Sequence, residues 1–185
     1  MTTETLERAI GVAKGVLAGV RPDQLDDTTP CASWKVRDLV NHIVGGSYFF
    51  AASVEGSEVP AEAPDFAGGD FLAAYEEGTK MAVAAFGAPG AMERELTLPF
   101  GQMPASAFIG LATTDTFTHA WDLAKATGQS TDLDPELAEQ LLAGAKLFIS
   151  DSFRGDEPMP FGPKQEAPPG ATAADELAAF LGRAC

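Results

Sequence analysis

The sequence is short of cysteine, of basic residues and of histidine, and each shortage excludes something. Two cysteines, Cys31 and Cys185, cannot build a disulfide framework, so an apolar core must hold the fold. Such sparing use of cysteine fits a reducing cytoplasm, which is the expected compartment. Lys and Arg together number 12 against 27 acidic residues, giving a formal net charge of −15. Nucleic acids and anionic membranes are recognised by clustered Lys and Arg, so neither is an expected partner. No apolar run approaches the roughly 20 residues that a membrane-spanning helix requires. The opening residues, Met1-Thr2-Thr3-Glu4-Thr5, lack a basic n-region and are not expected to act as a signal peptide. A Ser-His-Asp set, a phosphate loop, a Cys-x-x-Cys pair and a dinucleotide fingerprint are all missing.

What is present is a chain of 185 residues, 45% hydrophobic, rich in Ala and Gly. Its length suits one domain, residues 1–185, with a well-developed core. Abundant small residues favour closely packed helices. Leu6, Ala9, Ile10, Ala13, Leu17 and Val20 recur at helical spacing and predict a first helix over 3–20. A second is expected from Trp34 to about Val54, capped by Ser33, with Val36, Leu39, Val40, Ile43 and Phe50 inward. Gly56 to Gly69, with Pro60 and Pro64, reads as loop, and Asp70 caps a third helix from Phe71 to about Phe86. Glu93 to Phe100 alternates weakly and reads as extended, a short edge strand at most.

Gly101-Gln102-Met103-Pro104 leads into a fourth helix, with Pro104 at an early helical position and Gly128 as its stop. Phe108, Leu111, Ala112, Leu123 and Ala126 define its buried stripe. Asp134-Pro135 opens a fifth helix to about Ser152, its apolar side made of Leu137, Leu141, Leu147 and Phe148. After a Pro/Gly-rich connection from Gly155 to Gly170, the box Thr172-Ala173-Ala174-Asp175 opens a last short helix that ends at Gly182. The reading is all-α: four main helices in an antiparallel bundle, with a short extra helix at the C-terminal end.

Two polar residues interrupt the fourth helix's apolar stripe. Asp115 and His119 are four apart, so one helical turn stacks them on one face. A carboxylate turned toward a core is costly unless its charge is compensated. A divalent ion would compensate it, and the spacing lets one helix offer two ligands. The other histidine, His42, lies at the edge of the second helix's stripe. Gly45 and Gly46 follow it, a costly pair in a helix interior that suggests another backbone or a ligand approaching closely there. His42, Asp115 and His119 are therefore the candidate metal ligands. Two imidazoles and a carboxylate suit Zn, Fe(II), Ni or Mn, and three protein ligands leave positions open for water or substrate. The spacing alone also suits a plain structural role, with Asp115 bonded to a neighbouring helix and His119 a satisfied, half-buried histidine.

Other residues read more modestly. Trp34 and Trp121 are expected to anchor the core. Asp122 could orient a ligand histidine, but a surface or helix-pairing role is the expectation. Arg37 and Asp38 either line a pocket or form a solvated helix face. Cys31 is read as structural and Cys185 as exposed. No catalytic residue is assigned.

Three stretches carry a family resemblance. Pro30-Cys31-Ala32-Ser33-Trp34-Lys35-Val36-Arg37-Asp38-Leu39-Val40-Asn41-His42 resembles the first signature of the DinB-like metal-binding families, above all the metal-binding domain of mycothiol-dependent maleylpyruvate isomerase. His119-Ala120-Trp121-Asp122-Leu123-Ala124-Lys125-Ala126-Thr127-Gly128 resembles the second. Phe161-Gly162-Pro163 and the ending Leu177 to Arg183 resemble the tail of a related uncharacterised actinobacterial family. The resemblance spans almost the whole chain. It implies an up-down-down-up four-helix bundle with a metal near one end, held by a His on the second helix and two residues four apart on the fourth. These map to His42, Asp115 and His119.

It also implies zinc first, with nickel, iron or manganese as alternatives, and mycothiol as co-substrate. The implied partners are a small molecule or a low-molecular-weight thiol, in a monomer or homodimer. The implied activity is thiol-dependent transfer or isomerisation. Non-catalytic metal or ligand binding and metal-dependent hydrolysis stay open. Two departures stand out. The isomerase has Glu where this chain has Asp115, one methylene shorter, so coordination is direct with closer helices or runs through water. The isomerase also carries a C-terminal domain that helps form its active site, and this chain is read as lacking it. Maleylpyruvate isomerisation itself is therefore not the expected activity.

Overall fold

A computed structural model describes residues 1–31, 33–58, 64–155 and 161–185. Ala32 and residues 59–63 (Pro60 among them) and 156–160 lie outside the described residues. The elements, in chain order, are α1 (Thr3–Ala18), α2 (Val36–Glu55), α3 (Phe71–Gly87), β1 (Glu95–Leu98), β2 (Gly101–Pro104), α4 (Ala105–Ala126), α5 (Pro135–Phe148) and α6 (Ala173–Phe180), with short 3-10 turns at Pro22–Gln24 and Asp151–Phe153. α1 packs on α4, α2 on α3, and the two pairs meet through α1–α3 and α2–α4 contacts, which makes the four-helix bundle. α5 and α6 pack on each other against α4 and α1, outside the bundle. Among the described residues no helix is long and apolar enough to cross a membrane.

Local chemistry places most helix starts. Thr2 and Thr5 close a reciprocal box: the Thr2 hydroxyl accepts from the Thr5 amide and the Thr5 hydroxyl accepts from the Thr2 amide, at 3.3 and 2.9 Å. Asp70 accepts from the Ala73 amide at 3.0 Å and Asp134 from that of Leu137 at 3.2 Å. Thr172 and Asp175 form the expected reciprocal box at α6. Asp70→Ala is expected to cost about 1 kcal/mol, the usual worth of an N-cap, read as a shift in the urea midpoint at constant slope. A midpoint equal to wild type would show that the α3 cap contributes nothing.

The second helix does not start where the sequence suggested. Ser33 is not its cap. Lys35 pairs with Thr28 in an antiparallel bridge, and the Val36 amide donates to the Asp27 carbonyl at 3.0 Å, so the chain stays extended to Lys35. The Asp38 carboxylate then accepts from the Lys35 amide at 2.9 Å and closes the helix end. Residues 101–104 are likewise not a helix lead-in. They form β2, antiparallel to β1, with Leu96 opposite Met103 and Leu98 opposite Gly101. Pro99 and Phe100 make the reversal, Gly101 follows it at φ 132°, and Pro104 is the extended cap of α4 rather than part of it. This hairpin is the departure from an all-helical chain among the described residues, and the helical class stands.

Three apolar clusters fill the interior. Phe50, Phe86, Phe108, Leu6 and the hairpin's Leu96 and Leu98 form one. Leu17, Leu39, Val40, Ile43, Tyr75 and Leu123 form a second. Phe117, Trp121, Leu137, Leu141 and Leu177 join α4, α5 and α6 in a third. Three expected core residues are outside them. Leu111 is exposed because the buried stripe of α4 runs through Phe108, Ile109, Ala112 and Thr113, one step to its side. Leu147 and Phe148 are more than four-fifths exposed, since burial on α5 stops at Ala145.

Candidate metal centre

The site lies where α2 crosses α4. Leu39, Val40 and Ile43 on α2 pack in one cluster with Ala120, Leu123 and Ala124 on α4, and this turns His42 toward the fourth helix. Asp115 and His119 rise from α4 to meet it. His42 Nε2 lies 3.5 Å from Asp115 Oδ2, and His119 Nε2 lies 3.5 Å from Asp115 Oδ1. One donor atom from each residue falls within 4.8 Å of the other two. The imidazole rings meet edge to face with centroids 4.5 Å apart. All three expected ligands therefore converge on one point.

Each donor is prepared differently. His42 Nε2 is shut off from solvent and makes no hydrogen bond. An orphaned buried nitrogen is costly unless something else fills its lone-pair direction. His119 Nδ1 lies 3.0 Å from Asp122 Oδ2. Asp122 is fully buried, and Arg183 grips it with a fork: Nε donates to Oδ1 at 3.2 Å and Nη2 to Oδ2 at 3.0 Å. Burial opposes ionisation of Asp122, but the bond from His119 and the Arg183 guanidinium hold its carboxyl below the usual range. As a carboxylate it only accepts, so His119 Nδ1 carries the proton and donates. Nε2 faces Asp115, where an ion that displaces its proton would meet the lone pair, the arrangement in which a carboxylate orients a metal-binding histidine.

The charges favour a cation between the helices. Burial works against ionising Asp115, yet His119 and His42 hold the carboxyl far below its ordinary value. Burial would lower the pKa of His119, but Asp115, Asp122 and Cys31 together raise it well above that of a free imidazole. The pocket thus draws positive charge to the point where Asp115 faces both rings. A divalent ion would supply that charge in place of a proton, and two imidazoles with a carboxylate are a donor set that fits one.

A second group, Cys31, His119 and Asp122, also has its ligand atoms within 4.8 Å of one another. Cys31 Sγ sits 3.3 Å from Asp122 Oδ2 and 4.0 Å from His119 Nδ1. There Asp122 is already neutralised by Arg183, so the charge an ion would answer is spent. The His42 set is the better candidate.

Beside the ligands a cleft of about 530 Å³ is lined by Ser33, Trp34, Asp38, Asn41 and His42. The Trp34 ring lies 4.7 Å from that of His42 and 5.7 Å from that of His119. Asn41 ties the cleft to the segment before α3, donating to Asp65 at 3.0 Å and accepting from the Ala67 amide at 2.8 Å. Arg37 instead pairs with Asp26 at 3.1 Å in an exposed position.

Several expectations need correction. Trp34 is half-buried against both imidazoles, a wall of the site rather than a core anchor, whereas Trp121 is the core residue expected, its Nε1 donating to Asp175 at 2.8 Å. Asp122 is neither on the surface nor a simple helix-pairing residue. The thiol of Cys31 reaches the same carboxylate. The i, i+3 step from His119 to Asp122 was visible in the sequence and was the available signal. Nothing local pointed to Arg183. No other backbone closes on Gly46, where a Cβ would stand 3.7 Å from the Phe50 side chain and 4.0 Å from Asp115 Oδ2, both ordinary contacts. The tight approach between α2 and α3 lies instead at Gly78, where a Cβ would collide with the Ser47 side chain.

Comparison with known proteins gives consistent findings. Residues 6–124 match the family model described as the mycothiol maleylpyruvate isomerase N-terminal domain. Two Mycobacterium tuberculosis proteins, uncharacterized protein MT0763 (strain CDC 1551 / Oshkosh) and uncharacterized protein Rv0738 (strain ATCC 25618 / H37Rv), are each 45% identical over 177 residues, covering 96% of this chain and 94% of theirs. Crystal structures of mycothiol-dependent maleylpyruvate isomerase and of a histidine-to-alanine mutant of it superpose with TM-scores of 0.55 and 0.59, at 18% identity, covering 90% of this chain and 85% of theirs.

Proposed function

Since the chain belongs to the mycothiol maleylpyruvate isomerase N-terminal domain family, we propose that it binds one divalent metal ion through His42, Asp115 and His119 and serves thiol-dependent chemistry on a small molecule. The observation that carries this reading is the shielded, unpartnered Nε2 of His42, aimed at a carboxylate that a second imidazole also faces. Zinc is the proposed ion, and the cytoplasm the proposed compartment. When bound, such an ion holds a thiol as thiolate or lowers the pKa of bound water.

The residues of the chain itself do the rest. Asp122 keeps His119 in the ligand tautomer. Trp34 gives the cleft an apolar wall beside both imidazoles, against which the carbon skeleton of a thiol or its acceptor can lie. Ser33, Asp38 and Asn41 supply a polar rim. Rim and ligand donors share one cleft through His42, so a molecule held by the rim lies beside the ligand set.

The test uses protein purified without chelator or polyhistidine tag. About one ion per chain is expected by elemental analysis. Cobalt-loaded protein is then titrated with mycothiol, and a thiolate-to-cobalt band in the near ultraviolet is expected to grow to saturation. Protein that holds no metal overturns the reading. Bound metal with no thiol band leaves a metal-binding protein and removes the thiol chemistry.

A further inference from the structure

We propose that Arg183 is a positioning residue for the metal centre: delivered by the C-terminal tail, it orients His119 through Asp122 and so sets metal affinity. This rests on the metal-binding reading above. Asp122 Oδ2 takes three contacts, from His119 Nδ1 at 3.0 Å, Arg183 Nη2 at 3.0 Å and Cys31 Sγ at 3.3 Å, while Oδ1 takes Arg183 Nε at 3.2 Å. The planar fork fixes the carboxylate plane. With that plane fixed, one direction at Oδ2 remains for the imidazole N–H, and the ring can point Nε2 only toward Asp115. Without the fork the carboxylate turns about its own side-chain bond and the imidazole turns with it.

The tail that brings Arg183 is built, not a frayed end. Gly182, at φ 96°, lies in the left-handed region, and a Cβ there would meet Gly162 backbone atoms at 2.8–2.9 Å. Arg154 Nη1 donates to the Phe180 carbonyl at 2.7 Å and to that of Gly162 at 3.3 Å. The Arg183 amide donates to the Ala178 carbonyl at 2.9 Å, and its Nη1 to that of Leu181 at 3.1 Å. All of this lies beyond residue 124, where the match to the family model ends. The portion that matches the family model supplies the ligands; the C-terminal portion beyond it locks one of them.

Zinc and cobalt affinities, measured by competition with a chromogenic chelator, test the idea. Arg183→Met is expected to weaken both about 10-fold or more, the usual effect of removing a partner of a ligand histidine. Arg183→Lys keeps the charge but not the fork and should fall between that variant and wild type. The separating measurement is a double-mutant cycle with Asp122→Asn. If Arg183 acts through Asp122, adding Arg183→Met to Asp122→Asn costs less than about 2-fold more. A fully additive loss overturns the inference, as does Arg183→Met binding metal like wild type. If Arg183→Met does not fold, Arg183→Lys decides, and wild-type affinity together with an unchanged cobalt spectrum overturns it. Wild-type protein that binds neither metal instead overturns the metal-binding reading itself.

Discussion

His119→Ala is expected to remove the metal and leave the helices folded. His119 is the hub of the site: its Nε2 faces Asp115 at 3.5 Å and its Nδ1 holds Asp122 at 3.0 Å. Without it, two ligands remain on separate helices, and the loss exceeds that for removing an outer partner, so affinity should fall by more than about 100-fold. The fold survives because neither carboxylate is left both sealed and alone, the Asp115 side chain being partly open to solvent. Asp122 keeps the Arg183 fork, and Asp115 keeps His42 at 3.5 Å. Elemental analysis should drop from about one ion per chain to background, while the far-ultraviolet circular dichroism of the variant matches wild type. Metal retained at the wild-type level would refute the ligand assignment.

Phe108→Ala is expected to do the reverse. Phe108 is completely buried, with the rings of Phe49, Phe50 and Phe86 at centroid distances of 6.0, 5.8 and 6.0 Å. Truncation leaves a cavity among rigid rings and the covering hairpin, with little that can collapse into it, so the cost should be about 3–5 kcal/mol. In a chain of this length that is a drop of roughly 6–20 °C in the melting midpoint. This cluster is separate from the one that seats His42, so the metal content of the folded variant should stay at the wild-type ratio. A midpoint within a degree or two of wild type would mean that the four rings contribute little to stability. Together the two variants separate what holds the bundle from what holds the ion.

The sequence was informative wherever the physics is local. Asp115 and His119 were visible because two polar groups four apart break an apolar stripe, and the caps at Asp70, Asp134 and Thr172 because a capping side chain lies three residues from its amide. Each failure came where a residue's state depends on what pairs with it or covers it, which helical spacing does not record. The start of α2 is set by the bridge from Lys35 back to Thr28. β1 was readable from buried Leu96 and Leu98, but its partner was not, because no residue of β2 is fully buried and so it shows no alternation. Leu147 and Phe148 carry helical spacing, yet neither joins the cluster that Leu137, Leu141 and α6 form. His42 was placed at the site by its stripe and by family resemblance together. The Arg183–Asp122 pair has no periodicity to betray it, since it joins α4 to residues beyond the last helix.

The crossing of α2 and α4 has one more consequence. His42 and His119 come from segments separated by α3 and the whole hairpin. An ion gripping both acts as a removable cross-link that closes a long loop, and a ligand that binds only the native chain stabilises it by mass action. Chelators should therefore sensitise the protein to heat and to proteolysis in proportion to free metal, even though its hydrophobic interior is untouched.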